Sequence, residues 1–165
     1  MKKVILLFAL LCTMNAAVMA QDVFKEVRRL SSVIAADTTK DLTTRRVAQF
    51  KIDALDYMRQ RYWEVMKDDS LMYYYDVLNH QSLALYEYID LYMKRLTPLK
   101  KKKKREELQA VFQAASLENS KFFDTDKELV EAYIITPGFI TTFSLDTDWE
   151  KALADVRRRL RSIDL

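Results

Sequence analysis

The sequence predicts an all-α, single-domain bundle of about five to six helices, and three observations carry that reading. A chain of 165 residues holds one Gly and two Pro, too few for the tight turns that sandwiches, barrels and Rossmann-type sheets need. Aromatics make up 12% of it and the net charge is only +3, so it can bury a core and is not composed like a disordered chain. Apolar residues recur at spacings of three and four along most of its length, the period of an amphipathic helix.

Residues 1–20 read as a cleavable signal peptide. Lys2 and Lys3 give a positive start, residues 4–12 are unbroken apolar, and Val18 and Ala20 put small residues before a cleavage point at Gln21. The apolar stretch falls short of the roughly 20 residues that span a bilayer. The expected product is a single helical domain, 21–165, in the periplasm or outside the cell, with no transmembrane helix. An acylated Cys12 would anchor it instead, although Leu11 is bulkier than lipoprotein processing prefers before the cysteine. Cleavage removes Cys12, the only cysteine. Disulfides, Cys-ligated zinc and a thiol nucleophile then drop out together.

The first helix is expected over 22–36, with Val23, Val27, Leu30 and Ile34 on one stripe. Asp37-Thr38-Thr39 breaks it, because these side chains compete for backbone hydrogen bonds. A second helix, 41–67, carries Val47, Phe50, Ala54, Tyr57 and Met58 along one side, widened by Ala48, Ile52, Leu55, Tyr62 and Met66. Asp69 or Ser70 caps the third, 71–96. Its seam runs Leu71, Tyr75, Leu78, Ser82, Leu85, Ile89, Tyr92, Leu96, and apolar residues on its other sides make it the central helix.

Thr97-Pro98 is expected to end that helix and start a fourth, with Thr97 as cap and Pro98 in the first turn. The fourth acquires its apolar face only at Leu108, Val111, Phe112 and Ala115, and Asn119-Ser120 closes it. Thr125-Asp126-Lys127-Glu128 and Thr147-Asp148-Trp149-Glu150 both fit a capping box. They should open helices to about residue 135 and about residue 163, the second with a seam of Trp149, Leu153, Val156, Leu160 and Ile163. Between them lies a short irregular Pro-Gly segment, 136–144, read as loop because nothing offers it a strand partner.

Candidate chemistry is sparse. His80, the one histidine, falls on the polar side of the third helix near Asp76 and Glu87, where a solvated pair is expected. One glycine cannot build a nucleophile elbow or a phosphate loop, and one histidine cannot supply a di-iron bundle. No catalytic residue, metal or other cofactor is expected.

Two surfaces stand out. Tyr57, Tyr62, Trp63, Tyr74 and Tyr88 place amphipathic rings on the second and third helices, as a groove for a partner would. Core packing of the same rings is the simpler expectation at this spacing. Lys100, Lys101, Lys102, Lys103, Lys104 and Arg105 form a run suited to an anionic surface. Glu106 and Glu107 can pair within it, and no aromatic interleaves it, which disfavours nucleic acid. The functional expectation is an exported, non-enzymatic module that binds another protein or envelope component. The alternative is a membrane-surface or polyanion binder acting through the lysine run.

Overall fold

Asp37 and Asp41 set the first turn of the architecture before any packing is considered. In the computed structural model, which describes residues 23–67, 69–124 and 143–162, α1 (Val23–Ala36) ends where the Asp37 carboxylate accepts from the Thr39 N–H and hydroxyl. Asp41 then caps α2 (Leu42–Val65), accepting from the Thr44 N–H at 3.0 Å. Such a cap is worth about 1 kcal/mol. Ser70 does the same for α3 (Leu71–Leu96) by accepting from Tyr73 N–H. α4 (Lys102–Glu118) and α5 (Trp149–Leu160) complete an all-α bundle of five packed helices, with no strand among the described residues.

α3 is central. α1, α2, α4 and α5 all pack on it, and the core forms where Phe50 of α2, Tyr88 and Tyr92 of α3, Phe112 of α4 and Trp149 of α5 converge with Phe143. Their rings meet mostly edge to face, with Tyr88 to Trp149 at 5.3 Å and Tyr92 to Phe143 at 5.1 Å. That geometry suits the aromatic quadrupole. Phe143 and Ser144 are irregular, as expected; the rest of the Pro-Gly segment, the helix expected after Thr125 and the segment 1–20 expected to be a signal peptide lie outside the described residues.

Four expectations need correction. Thr97 does not cap a following helix: it closes α3, its hydroxyl donating to Met93 O at 2.7 Å, and α4 starts only at Lys102. Thr147 does not cap α5 either. Asp148, one residue later, accepts from Lys151 N–H, while the Thr147 hydroxyl is buried between Ser116 and the Ser144 carbonyl. The α3 seam is buried only from Leu78 onward, with Leu71 and Tyr75 exposed. On α1, Leu30 is exposed and Val27 and Ser31 are buried instead. A two-pronged Arg28–Asp56 contact to α2, at 2.9 Å, and the Phe24 N–H bond to Asn79 fix that helix's roll.

Candidate functional site

The five aromatic residues that sequence places on α2 and α3 occupy different surroundings. Tyr88 lies wholly in the core, its hydroxyl donating to Phe112 O. Tyr57 is buried against Phe122 and donates to the Asp124 carboxylate at 3.1 Å. Tyr62 packs edge-on to Phe122 at 5.0 Å, with the Lys121 ammonium over its ring. Burial first, and nearby carboxylates second, push the Tyr57 and Tyr62 phenols well above their ordinary range. Both stay protonated at neutral pH. Tyr74 is buried too, and its hydroxyl donates to Arg59 O at 3.1 Å.

Trp63 alone of the five is exposed, at 53%. It meets the edge of Tyr74 at 5.7 Å, and Tyr74 in turn meets Tyr75 at 5.1 Å. Around them Val65, Leu71, Met72, Tyr73 and Tyr75 are also open to solvent, Met72 to 82%. Local folding explains the grouping. The short α2–α3 connection brings the last turns of α2 beside the first turns of α3. The start of α1 bonds α3 at Asn79, and the start of α5 bonds it at Gln81. Both contacts lie beyond the first turn of α3, where Leu71, Met72 and Tyr73 stay exposed, and periodicity alone cannot reveal that. Glu64, Asp69 and Asp76 stand exposed among these apolar groups. His80 and Asp76 are both solvent-exposed and 3.8 Å apart, a weak pair.

Comparison with protein-family models, with curated proteins and with solved structures finds no match to this chain.

The lysine run sits at the other end of α3, whose 26 residues span about 39 Å. Lys102 and Lys103 face Glu106 and Glu107 at 3.7 and 4.0 Å, in the i to i+4 register expected. Arg105 points inward, donating to Leu96 O and Leu99 O at 3.1 and 3.2 Å, and so ties the end of α3 to α4. Lys100 and Lys101 remain exposed.

A third cluster escaped sequence reading. The Asp146 carboxylate accepts from the Ser120 hydroxyl and from the backbone N–H groups of Lys121, Phe122 and Asp124. This wrap carries Phe123 into positive φ, 52°, with its ring 80% exposed, an uncommon conformation for a bulky residue. Asp148 is bonded by Gln81, Lys121 and Lys151. Every carboxylate here is consumed in holding the 120–124 loop to the start of α5, so the cluster is a structural clasp. The dense polar run Ser144 to Asp148 was its signal, since four polar residues in five positions beside a tryptophan are seldom all solvated. Among the described residues no three His, Cys, Asp or Glu side chains are placed to share a metal. None of the described helices is long and apolar enough to cross a membrane.

Proposed function

We propose that this chain is an exported, non-enzymatic binding protein that docks a partner protein on the apolar end built from Trp63, Leu71, Met72, Tyr73 and Tyr75. The observation that carries the reading is that end itself. Six large apolar side chains, Val65 included, stand open at one tip of the bundle, and Tyr, Trp and Met are the residues enriched in protein interfaces. Glu64 is paired with Arg61, and the exposed Asp69 and Asp76 beside the apolar groups favour a partner with an apolar face and a basic rim. Export is supported by Lys2 and Lys3, the apolar run after them and the small residues before Gln21. A non-catalytic role is supported by phenols and carboxylates that serve as structural hydrogen-bond partners.

A photo-crosslinking amino acid at Tyr73, in the native cell, tests the proposal. A discrete adduct should form at that position, weaken on Trp63→Ser, and be missing with the crosslinker at Ala110 on the exposed side of α4. The same adduct from both positions, or none at Tyr73, would overturn the docking surface. An adduct with a second copy of this chain would replace the foreign partner by self-association.

A further inference from the structure

The start of α4 is built against its own stability. A helix N-terminus is the positive end of the helix dipole and favours acidic residues and an oxygen-bearing cap. α4 has Lys101 at the cap position with no side-chain hydrogen bond, no acidic residue in its first turn, and Lys102 to Arg105 stacked there instead. Pairing with Glu106 and Glu107, at 3.7 and 4.0 Å between exposed groups, compensates little. An arrangement that costs stability in its own helix calls for a reason outside it.

The fold adds more cations at the same end. Lys94 and Arg95 lie in the last turn of α3, and Arg161 closes α5 beside them. A shallow groove of about 540 Å³ between α3 and α5 is lined by Arg95 and Arg161, by the ion pairs Lys94–Asp90 and Arg157–Glu87, and by the half-buried Leu91 and Leu160. Counting Lys94, Arg95, the run 100–105, Arg157 and Arg161, ten cations stand at this end against four carboxylates: Glu87, Asp90, Glu106 and Glu107, of which Glu87 is taken up by Arg157 at 2.7 Å. Asp90 is taken up by Lys94 at 2.7 Å. Arg95, Lys100, Lys101, Lys104 and Arg161 form no ion pair among the described residues.

We infer that this basic end docks on an anionic lipid surface and holds the Trp63–Met72 end away from it, about a helix length distant. Five of the six residues in the run are lysines, flexible point charges suited to a diffuse headgroup layer, whereas bidentate phosphate recognition favours arginine forks. No aromatic side chain stands in the run to stack on bases. This inference is independent of the protein-docking end, because the two surfaces occupy opposite ends of α3 and share no residue.

Sedimentation with phosphatidylcholine vesicles, with and without phosphatidylglycerol, reads the proposal directly. The processed protein should bind the anionic vesicles, lose binding as salt rises, and ignore the neutral ones. Each cation near such a surface strengthens binding about fivefold. A Lys100→Gln, Lys101→Gln, Lys104→Gln triple variant should thus bind roughly a hundredfold more weakly, and an Arg95→Gln, Arg161→Gln pair roughly twentyfold. These residues are surface groups, so circular dichroism of both variants should stay unchanged. Trp63→Ser should leave vesicle binding intact. Equal binding to neutral vesicles, or insensitivity to the lysine variant, would overturn the inference. Tighter binding to duplex DNA than to anionic vesicles would do the same.

Discussion

Gln81 grips the start of α5 through Asp148 and its neighbour at once: its amide donates to the Asp148 carboxylate at 3.0 Å, and its carbonyl accepts the Trp149 N–H at 2.8 Å. One fully buried side chain on the central helix thereby replaces the solvent that α5's first N–H and cap would otherwise need. Gln81→Leu removes both bonds, and a third from the amide to the Glu150 carboxylate at 3.0 Å, while keeping the volume. It should cost about 3 kcal/mol, since a buried group left unpaired costs roughly 1–3 kcal/mol. Equilibrium unfolding in urea measures it. A loss under about 1 kcal/mol would mean that water takes over these contacts.

The same carboxylate gives the fold an acid limb. Burial opposes ionisation of Asp148, but hydrogen bonds from Gln81 and Lys121 outweigh it, and its pKa lies below the ordinary aspartate value. A group whose folded pKa is depressed stabilises above its unfolded pKa, near pH ~4, and loses that contribution as pH falls through the folded value. Asp148→Asn keeps an oxygen for the α5 cap and removes the titration. Its stability should therefore fall less steeply than wild type below about pH 4. Parallel curves for the two proteins in that range would show that Asp148 is not a source of the acid sensitivity.

Packing ranks two positions on α3 that sit nine residues apart. Ile89 is 2% exposed among the core residues, so Ile89→Ala should cost roughly 2–5 kcal/mol. His80 is open to solvent beside Asp76, and His80→Ala should stay within about 0.5 kcal/mol. Thermal unfolding of the two variants gives the order, and a reversed order would require α3 to be rolled by half a turn.

Most of the helical frame was legible because burial and period agree along it. Leu78, Leu85, Ile89, Tyr92 and Leu96 repeat at seven, four, three and four residues, and all are buried. The same rule failed at Leu71 and Tyr75, where the period continues but both side chains stay exposed. The α3 cap was legible to within one residue, Asp69 or Ser70, of which Ser70 takes the role; at Thr147-Asp148 the wrong one of two neighbours was read as the cap. Burial decides that case: the Thr147 hydroxyl is spent on Ser116 and Ser144, leaving Asp148 to accept from Lys151. Of the candidate surfaces, the lysine run was visible as composition. The open apolar tip was not, because Met72 and Tyr73 differ from core residues only in what fails to cover them.

That tip should also be energetically idle in the folded chain. Leu71→Ser and Met72→Ser remove exposed apolar groups and should each change stability by no more than about 0.5 kcal/mol, while abolishing the Trp63-dependent adduct formed from position 73. A destabilisation of about 2 kcal/mol or more in either would place these side chains in the protein's own packing and leave no free surface there.

The basic end makes the opposite prediction, that stability and binding trade against each other at one residue. Lys101 occupies the α4 cap with φ −80° and ψ 125°, a backbone ready to accept a capping side chain, yet it offers none. Lys101→Asp supplies the missing acceptor and places a negative charge at the positive end of the helix dipole. It should stabilise the protein by about 1 kcal/mol, on the scale of an N-cap. It also reverses one charge on the surface inferred to meet anionic lipid, so vesicle binding should weaken by more than tenfold, the effect of about two unit charges. Thermal unfolding and vesicle sedimentation on one preparation read both. A gain in melting temperature with unchanged lipid binding would show the uncapped lysines to be a local defect with no bearing on membranes. Loss of binding with gained stability is what a helix start shaped by its partner requires.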